Sequence, residues 1–275
     1  MRSLLIVLIG LISFGLQGQS VELGVNAGVS FYNGDLSPKE YIDYLEMLHP
    51  AGGVFLRVNT ASSISVRLGA NFGTVSGDDK MSAYPDRQLN FRSRLSELYI
   101  TGEWNIFEWY PGNGRTGISP YVFAGLNLFY FNPEARTESQ WVELQPLGTE
   151  GQGLPGYEEK YDLVQFGVPF GVGLKIKLPG RWQLGLELGA RKLFTDYLDD
   201  VSNQTVVYED VLVGNGALAA QLSNPSFDPD TTPLQTSYVR GKGADDWYYV
   251  GGITISYLIS ESGNRSKGDV KCYNF

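Results

Sequence analysis

Apolar and polar residues alternate with a period of two in eight segments of the chain. In the first segment, 21–31, every odd position is apolar and every even position is polar or small. A period of two is typical of a β-strand with one apolar and one polar face. The same alternation recurs at 52–60, 64–75, 91–107, 120–131, 165–178, 182–192 and 246–259. The pattern predicts an all-β fold, an eight-stranded antiparallel barrel.

The connections between these segments are long and short in turn. The long ones cover 36–51, 76–90, 132–161 and 195–245, and the short ones cover 61–63, 108–119 (with the turn-forming Pro111 to Gly114) and 179–181. A soluble, lipocalin-like barrel would show the same stripes with its apolar face inward. Long extracellular loops and short periplasmic turns are typical of outer-membrane barrels. The connections therefore favour a transmembrane barrel in the bacterial outer membrane, with both termini periplasmic.

The two ends of the chain differ from the barrel segments. Arg2 and the apolar run from Leu4 to Leu16 match a secretory signal, and the run is too short to span a membrane as a helix. We expect residues 1–20 to be a signal peptide that is removed, 21–260 to form the barrel, and 261–275 to form a periplasmic tail. In that tail, Cys272 and Phe275 are candidates for contact with a partner, and a frayed end with an incidental thiol is the alternative.

Charged residues on the polar faces are balanced in sign. If these faces line the barrel interior, the charges must pair, because an unpaired buried ion costs several kcal/mol. An eight-stranded barrel is about wide enough for side chains to fill. We therefore expect a closed, ion-paired interior, with a proton or ion path as the alternative. The candidate residues are Glu22, Arg57, Arg67, Glu97, Glu103, Lys175, Glu187 and Arg191.

The sequence gives little support to catalysis or to cofactor binding. Hydrolysis by a Ser–His pair needs a positioned histidine, and the chain has one histidine, His49, in a predicted loop. One histidine and one cysteine do not supply a familiar zinc pattern. The glycine-rich segment 149–153 lacks the Lys-Ser/Thr of a phosphate loop and is expected to be a turn. We expect no enzyme activity, no cofactor and no metal.

Acidic residues cluster in the predicted loops, and the net charge of −9 disfavours nucleic acid as a partner. Calcium binds such carboxylates, but none of the clusters has the spacing of an EF-hand loop. A solvated rim at the barrel mouth is the expected arrangement. The clusters are Asp78 with Asp79, Asp196 with Asp199 and Asp200, Asp228 with Asp230, and Asp245 with Asp246.

Several motifs together resemble a known family. The chain is similar to the PorG-like outer-membrane β-barrel proteins of the Bacteroidetes type IX secretion system. The resemblance covers essentially all of the chain after the signal segment, including the ending around Cys272. It is carried by RLSEL at 94–98, SPYVFAGLNLFYFNPEA at 119–135, LQPLGTEGQ at 144–152, FGVPFGVGLK at 166–175, FTDYLDDVS at 194–202 and RGKGADDWYYVGG at 240–252.

The resemblance implies a non-enzymatic role in protein secretion. Such a barrel would lie in outer-membrane lipids and anchor a periplasmic ring, made of a lipoprotein and its partner subunit, close to the outer-membrane translocon. Two other function classes stay open. One is a surface-binding, adhesin-like barrel that uses the two longest loops, 132–161 and 195–245. The other is a small outer-membrane channel.

Overall fold

The computed structural model describes residues 20–109 and 117–260, and the predicted signal segment up to residue 19, the turn at 111–114 and the tail 261–275 lie outside them. Twelve strands are present in the described residues. They are β1 (Ser20–Asn33), β2 (His49–Asn59), β3 (Ile64–Asp78), β4 (Asn90–Asn105), β5 (Ile118–Tyr130), β6 (Pro133–Arg136), β7 (Trp141–Glu143), β8 (Val164–Lys177), β9 (Trp182–Leu193), β10 (Thr205–Val207), β11 (Ser237–Val239) and β12 (Trp247–Ser260).

Eight of these strands close into an antiparallel barrel, which confirms the fold predicted from the stripes. The order around the barrel is β3-β2-β1-β12-β9-β8-β5-β4, and β3 pairs with β4 to complete the circle. The first and last strands meet along a seam in which Val21 pairs with Ser260 and Asn33 pairs with Trp247. The long connections all emerge at one end of the barrel, called here the long-loop end, and the short ones at the short-turn end.

The two faces of each barrel strand have opposite chemistry. Outward-facing residues are apolar and exposed, as at Leu23 (54%), Leu126 (63%) and Phe166 (69%). Inward-facing residues include buried ions such as Arg57 and Glu103. An exposed apolar band on a closed barrel is a lipid-facing surface, because only a closed barrel satisfies its strand edges in lipid. The apolar face therefore points into lipid and the polar face lines the interior.

Several aromatic side chains point into the barrel and are buried there. Four of them lie directly across the strand pair from a glycine. Because glycine has no side chain, the ring of the partner residue can cover the vacant position. The pairs are Phe55 with Gly24, Tyr99 with Gly69, Tyr121 with Gly173, and Phe123 with Gly171.

The long connections contain regular structure that the period-two pattern does not indicate. β6 and β7 form a hairpin, and β6 pairs with the start of β4. The segment between β9 and β12 contains the β10–β11 ribbon, α1 (Tyr208–Gly214) and α2 (Ala217–Ser223), and two 3₁₀ turns cover Tyr41–Leu45 and Pro85–Arg87. Together the connections 34–48, 79–89, 131–163 and 194–246 form a folded layer over the barrel mouth, called here the cap. None of the described helices is long and apolar enough to cross a membrane.

Candidate functional site

Glu103 on β4 is the centre of an ion cluster in the part of the interior nearest the short-turn end. Its carboxylate oxygens lie 2.9 Å from Arg57 Nε, 2.7 Å from Lys175 Nζ and 3.1 Å from Arg67 Nε. The four side chains come from β2, β3, β4 and β8, and all four are buried. Each cation thus has an anionic partner, which is the condition for keeping charges in a space without bulk water.

Two further carboxylates extend the cluster along the barrel. Arg57 Nη1 donates to Glu22 Oε2 at 2.9 Å, and Arg67 Nη1 donates to Glu187 Oε2 at 2.5 Å. The hydroxyl of Tyr121 also donates to Glu187, at 2.6 Å. The cluster therefore joins β1 to β9 across the interior, and it ties together strands that are not neighbours in the sheet.

A second ion pair lies nearer the long-loop end. Arg191 Nη2 donates to Glu97 Oε1 at 3.0 Å, and Asn71 Nδ2 donates to the same oxygen at 2.6 Å. The other carboxylate oxygen accepts bonds from Asn127 Nδ2 at 2.8 Å and from the Tyr248 hydroxyl at 2.5 Å. The structure places all eight candidate charges inside the barrel, six in the Glu103 cluster and two in this pair.

Aromatic rings surround the guanidinium of Arg67, a feature that the sequence analysis did not find. Its Cζ lies 5.4 Å from the ring centre of Phe55, 5.5 Å from that of Tyr99 and 5.2 Å from that of Phe123. Rings at such distances attract a cation through their negative faces. The three rings belong to the glycine–aromatic pairs, so the same pairs fill the interior and hold its central cation.

Side chains close both ends of the interior. Trp109 is buried at the short-turn end, with Lys177 Nζ 5.1 Å from its ring centre. Phe91, Phe129 and Leu193 belong to a buried apolar cluster at the long-loop end. Between the ends, a cavity of about 20 Å³ beside Glu187 has room for about one water molecule.

The filled interior predicts that the purified barrel does not conduct. Ions would have to displace paired charges that are held by several strands. In planar lipid bilayers at neutral pH, we expect no steady single-channel current from the wild-type protein. Stable current steps of one size, present in the protein sample and absent from a mock purification, would contradict this expectation.

In the cap, Tyr32 joins two carboxylates of the last long connection to β1. Its hydroxyl contacts both Asp199 and Asp246, the latter at 3.1 Å, and all three side chains are buried. Burial raises the pKa of Asp199 well above its usual value. Burial and the charge of Asp199 do the same for the pKa of Asp246. Burial at the barrel mouth therefore favours the protonated form of both carboxyl groups.

Arg240 is the centre of a second buried group in the cap. Its Nη1 lies 3.2 Å from Asp200 Oδ2 and 3.5 Å from Glu150 Oε1. Asp200 also accepts bonds from the hydroxyls of Thr149 and, at 2.7 Å, of Tyr161. These contacts hold the connection before β8 against the connection before β12.

The predicted turn at 149–153 is present, with positive φ angles at Gly151 and Gly153. It also carries Glu150, whose carboxylate accepts hydrogen bonds from the backbone and the hydroxyl of Ser202 at 2.8 and 2.5 Å. Burial raises the pKa of Glu150 to about 7. The turn is therefore a structural part of the cap, which its glycine content alone does not indicate.

The expectation of a solvated acidic rim is wrong for several of the clustered carboxylates. Asp79, Asp199, Asp200 and Asp246 are buried. Asp79 accepts bonds from Arg87 within its own connection, Asp199 and Asp246 are bonded to Tyr32 of β1, and Asp200 accepts a bond from Tyr161 of another connection. The other members are exposed or partly buried, and Asp228 and Asp230 are exposed. Within residues 20–109 and 117–260, no group of three or more His, Cys, Asp or Glu side chains is placed to hold a metal ion.

Arg87 ties the first and second long connections to the last. It forms a two-point contact with Asp79, at 2.7 and 3.1 Å, and donates to the backbone oxygens of Asp35 and Arg240. The prediction that His49 lies in a loop is wrong, because it begins β2, where a ring nitrogen lies 2.7 Å from Ser76 Oγ. Cys272 and Phe275, the predicted partner contacts, lie outside the described residues.

Raised carboxyl pKa values predict that the cap is more stable in mild acid than in base. Burial, with nearby Asp35, raises the pKa of Asp196 to about 8, and that of Glu150 is about 7. The folded cap therefore keeps protons that the unfolded segment releases near pH 4, so stability falls as the pH rises from about 4 to about 8.

Hydrogen exchange of amides 195–246, corrected for the pH dependence of the intrinsic rate, measures this effect. We expect stronger protection at pH 5 than at pH 8.5. Asp199→Asn should reduce the difference, since burial also raises the pKa of Asp199 and Asn stays neutral. Asp228→Asn should leave the difference unchanged because Asp228 is exposed. Protection that increases toward pH 8.5 would contradict the prediction.

A closed antiparallel barrel with an exposed apolar outer face and a filled, charged interior defines the class of outer-membrane β-barrels, and this chain is one of them. The chain belongs to the family described as "Domain of unknown function (DUF6089)", whose model matches residues 1–219.

Solved structures similar to this chain include those of three bacterial proteins. Outer membrane protein OprG from Pseudomonas aeruginosa is 11% identical, with a TM-score of 0.41, over 88% of this chain and 96% of its own. Neisserial surface protein A is 7% identical, with a TM-score of 0.40, over 88% and 97%. Ail, the attachment invasion locus protein of Yersinia pestis, is 7% identical, with a TM-score of 0.38, over 88% and 100%. No curated protein matches the sequence.

Proposed function

We propose that this protein is a non-enzymatic component of the type IX protein secretion system that anchors a periplasmic ring complex to the outer membrane. The observation that supports the proposal is the filled interior, in which Glu103 and its three cationic partners occupy the space a substrate path would need. A barrel without such a path acts through its surfaces. The motifs shared with PorG-like barrels point to the secretion system as the setting.

The proposed orientation places the cap outside the cell and both chain ends in the periplasm. The described strands start at Ser20 and end at Ser260, both at the short-turn end. In the described residues, the surface available to a ring there includes the short turn 179–181, whose residues are exposed. We propose that the tail, with Cys272 and Phe275, contacts the ring lipoprotein or its partner subunit.

Purification of the native complex from membranes, with crosslinks mapped by mass spectrometry, tests the anchoring role. Truncation before Gly263 should reduce recovery of ring subunits at least tenfold while the barrel keeps its heat-modifiable migration on gels. Cys272→Ser separates a covalent from a non-covalent link, because only a disulfide gives a larger species without reductant. Full recovery of ring subunits with the truncated chain would exclude the tail, and their absence from the wild-type complex would exclude anchoring.

A second candidate function, surface binding, is favoured by the folded cap. A cleft of about 230 Å³ lies between two long connections, with Arg87 and Asp86 on one side and Asn224 and Tyr238 on the other. Because the cap is folded, the cleft has a defined shape, as recognition requires. Protease treatment of whole cells that removes cap segments, abolishes a binding phenotype and leaves secretion intact would favour this candidate over anchoring.

A further inference from the structure

The 3₁₀ turn Tyr41–Leu45, in the connection after β1, exposes three large apolar side chains within five residues. Tyr41 is 93% exposed, Ile42 67% and Leu45 62%. In the same connection, the apolar side chains of Leu36 and Met47 are buried. A cluster of this kind on an otherwise polar connection indicates contact with something apolar.

Tyr44, the fourth apolar residue of the turn, shows where the turn lies on the barrel. The ring of Tyr44 packs edge-on against Phe31, with 5.8 Å between ring centres, and Phe31 stacks on Tyr249 at 4.8 Å. Phe31 and Tyr249 lie on the outward faces of β1 and β12, in register with the lipid-facing stripe. The turn is therefore attached to the outside of the barrel wall, at the long-loop edge of the apolar band, and does not lie on top of the cap.

Further contacts hold the turn in this place. The Tyr44 hydroxyl donates to Asn33 Oδ1 at 3.0 Å. Before the turn, the Lys39 amide donates to the Met81 carbonyl at 2.8 Å, and after it the side chain of Met47 is buried. The three exposed side chains thus project from a segment that is fixed at both ends.

We propose that Tyr41, Ile42 and Leu45 insert into the lipid leaflet at the long-loop end and form a membrane finger that sets the depth of the barrel. The finger continues the established lipid-facing surface beyond the strands, through Phe31 and Tyr249. Apolar Ile42 and Leu45 suit the acyl region, and a tyrosine suits the interface because its ring is apolar and its hydroxyl is polar. Glu40 and Asp43 alternate with the apolar residues and would stay among the headgroups.

Site-directed spin labelling in phosphatidylcholine vesicles tests the finger directly. Nitroxide labels are attached at Ile42→Cys and, separately, at Leu45→Cys, in a Cys272→Ser background so that no other thiol reacts. Leu126→Cys serves as the reference in the lipid-facing band, and Val213→Cys, 80% exposed on α1, as the reference in water. Collision with oxygen, which prefers lipid, and with a polar nickel chelate, which prefers water, reports the surroundings of each label.

We expect the labels at 42 and 45 to show an oxygen-to-nickel ratio at least threefold above that at 213 and close to that at 126. A ratio equal to that at 213, at both positions, would overturn the proposal. Labels shielded from both reagents would also overturn it, because they would show that protein, such as a second copy or a partner, covers the turn. Because two positions are labelled separately, a folding defect in one variant leaves the other informative.

A second measurement asks whether the finger sets barrel depth. Changing Tyr41, Ile42 and Leu45 to Ser together keeps the contact between Tyr44 and Phe31. With a label at position 126, the apparent depth of that label in the bilayer should differ measurably from its depth in the barrel with the intact turn. The matched change of Val213 and Leu218 to Ser, on the cap helices, should leave that depth unchanged. If the label at position 126 lies at the same depth in the finger variant, the finger does not set the depth of the barrel.

Discussion

Replacing Glu103 by Gln should lower the free energy of unfolding of the barrel by about 3–5 kcal/mol, the range found when one partner of a buried ion pair is removed. The Glu103 carboxylate faces Arg57, Lys175 and Arg67, all buried. Glutamine has nearly the same shape but no charge, so three cations would share the two remaining carboxylates of the cluster. The cost comes from uncompensated charge in a space that bulk water does not fill.

Urea unfolding in lipid vesicles, followed by tryptophan fluorescence, measures the change. Glu134→Gln is the matched control, since Glu134 pairs with Arg92 at 2.6 Å and both side chains are partly exposed, 17% and 29%. Exposed pairs contribute about 0–1 kcal/mol, so this control should unfold nearly as the wild type does. Equal stability of the two variants would show that the Glu103 cluster is solvated or reorganises freely.

Gly173→Ala should destabilise the barrel by about 1–3 kcal/mol, the usual range for overpacking of a filled interior. A Cβ atom at Gly173 would lie 2.3 Å from Tyr121 Cζ, far inside van der Waals contact. The tyrosine cannot easily move away, because its hydroxyl donates to Glu187 and Lys175 Nζ lies 4.7 Å from its ring centre. The added methyl must therefore distort the wall or break these contacts.

Gly102→Ala is the control for Gly173→Ala, since a Cβ atom there would meet only a backbone oxygen at 4.0 Å, on the lipid-facing side. The same unfolding measurement should show little loss for this variant. A double change of Gly173→Ala with Tyr121→Ala should cost less than the sum of the single changes, because removing the ring makes room for the methyl. Strict additivity would mean that the ring does not cover the glycine.

The barrel could be predicted from the sequence because its rule is local. In residues 21–31, for example, the alternation alone separates lipid-facing Leu23 and Val25 from interior Glu22. Once the alternation has assigned each residue to the inner or outer face, the balance of charges on the interior faces can also be read from the sequence. The same alternation predicts which aromatic rings point inward. It does not predict which glycine each ring covers, because that depends on how neighbouring strands align, as for Tyr99 and Gly69.

The cap could not be predicted in the same way. The burial of Asp199 depends on Tyr32, which is 167 residues away, and that of Asp200 depends on Thr149 and Tyr161. A run of aspartates within a connection looks like a hydrated segment when only its neighbours in sequence are considered. Contacts with residues distant in sequence decide the burial, and the period-two stripe carries no information about them.

The seam between β1 and β12 has a consequence for assembly. Partners such as Val25 and Ile255 are separated by nearly the whole described chain, so their pairing has the greatest sequence separation in the wall. Contacts between distant residues form slowly, because closing a long loop has an entropic cost before any contact compensates for it. We expect the seam to close last during insertion. Until then, β1 and β12 offer unpaired edges that can pair with strands of other chains.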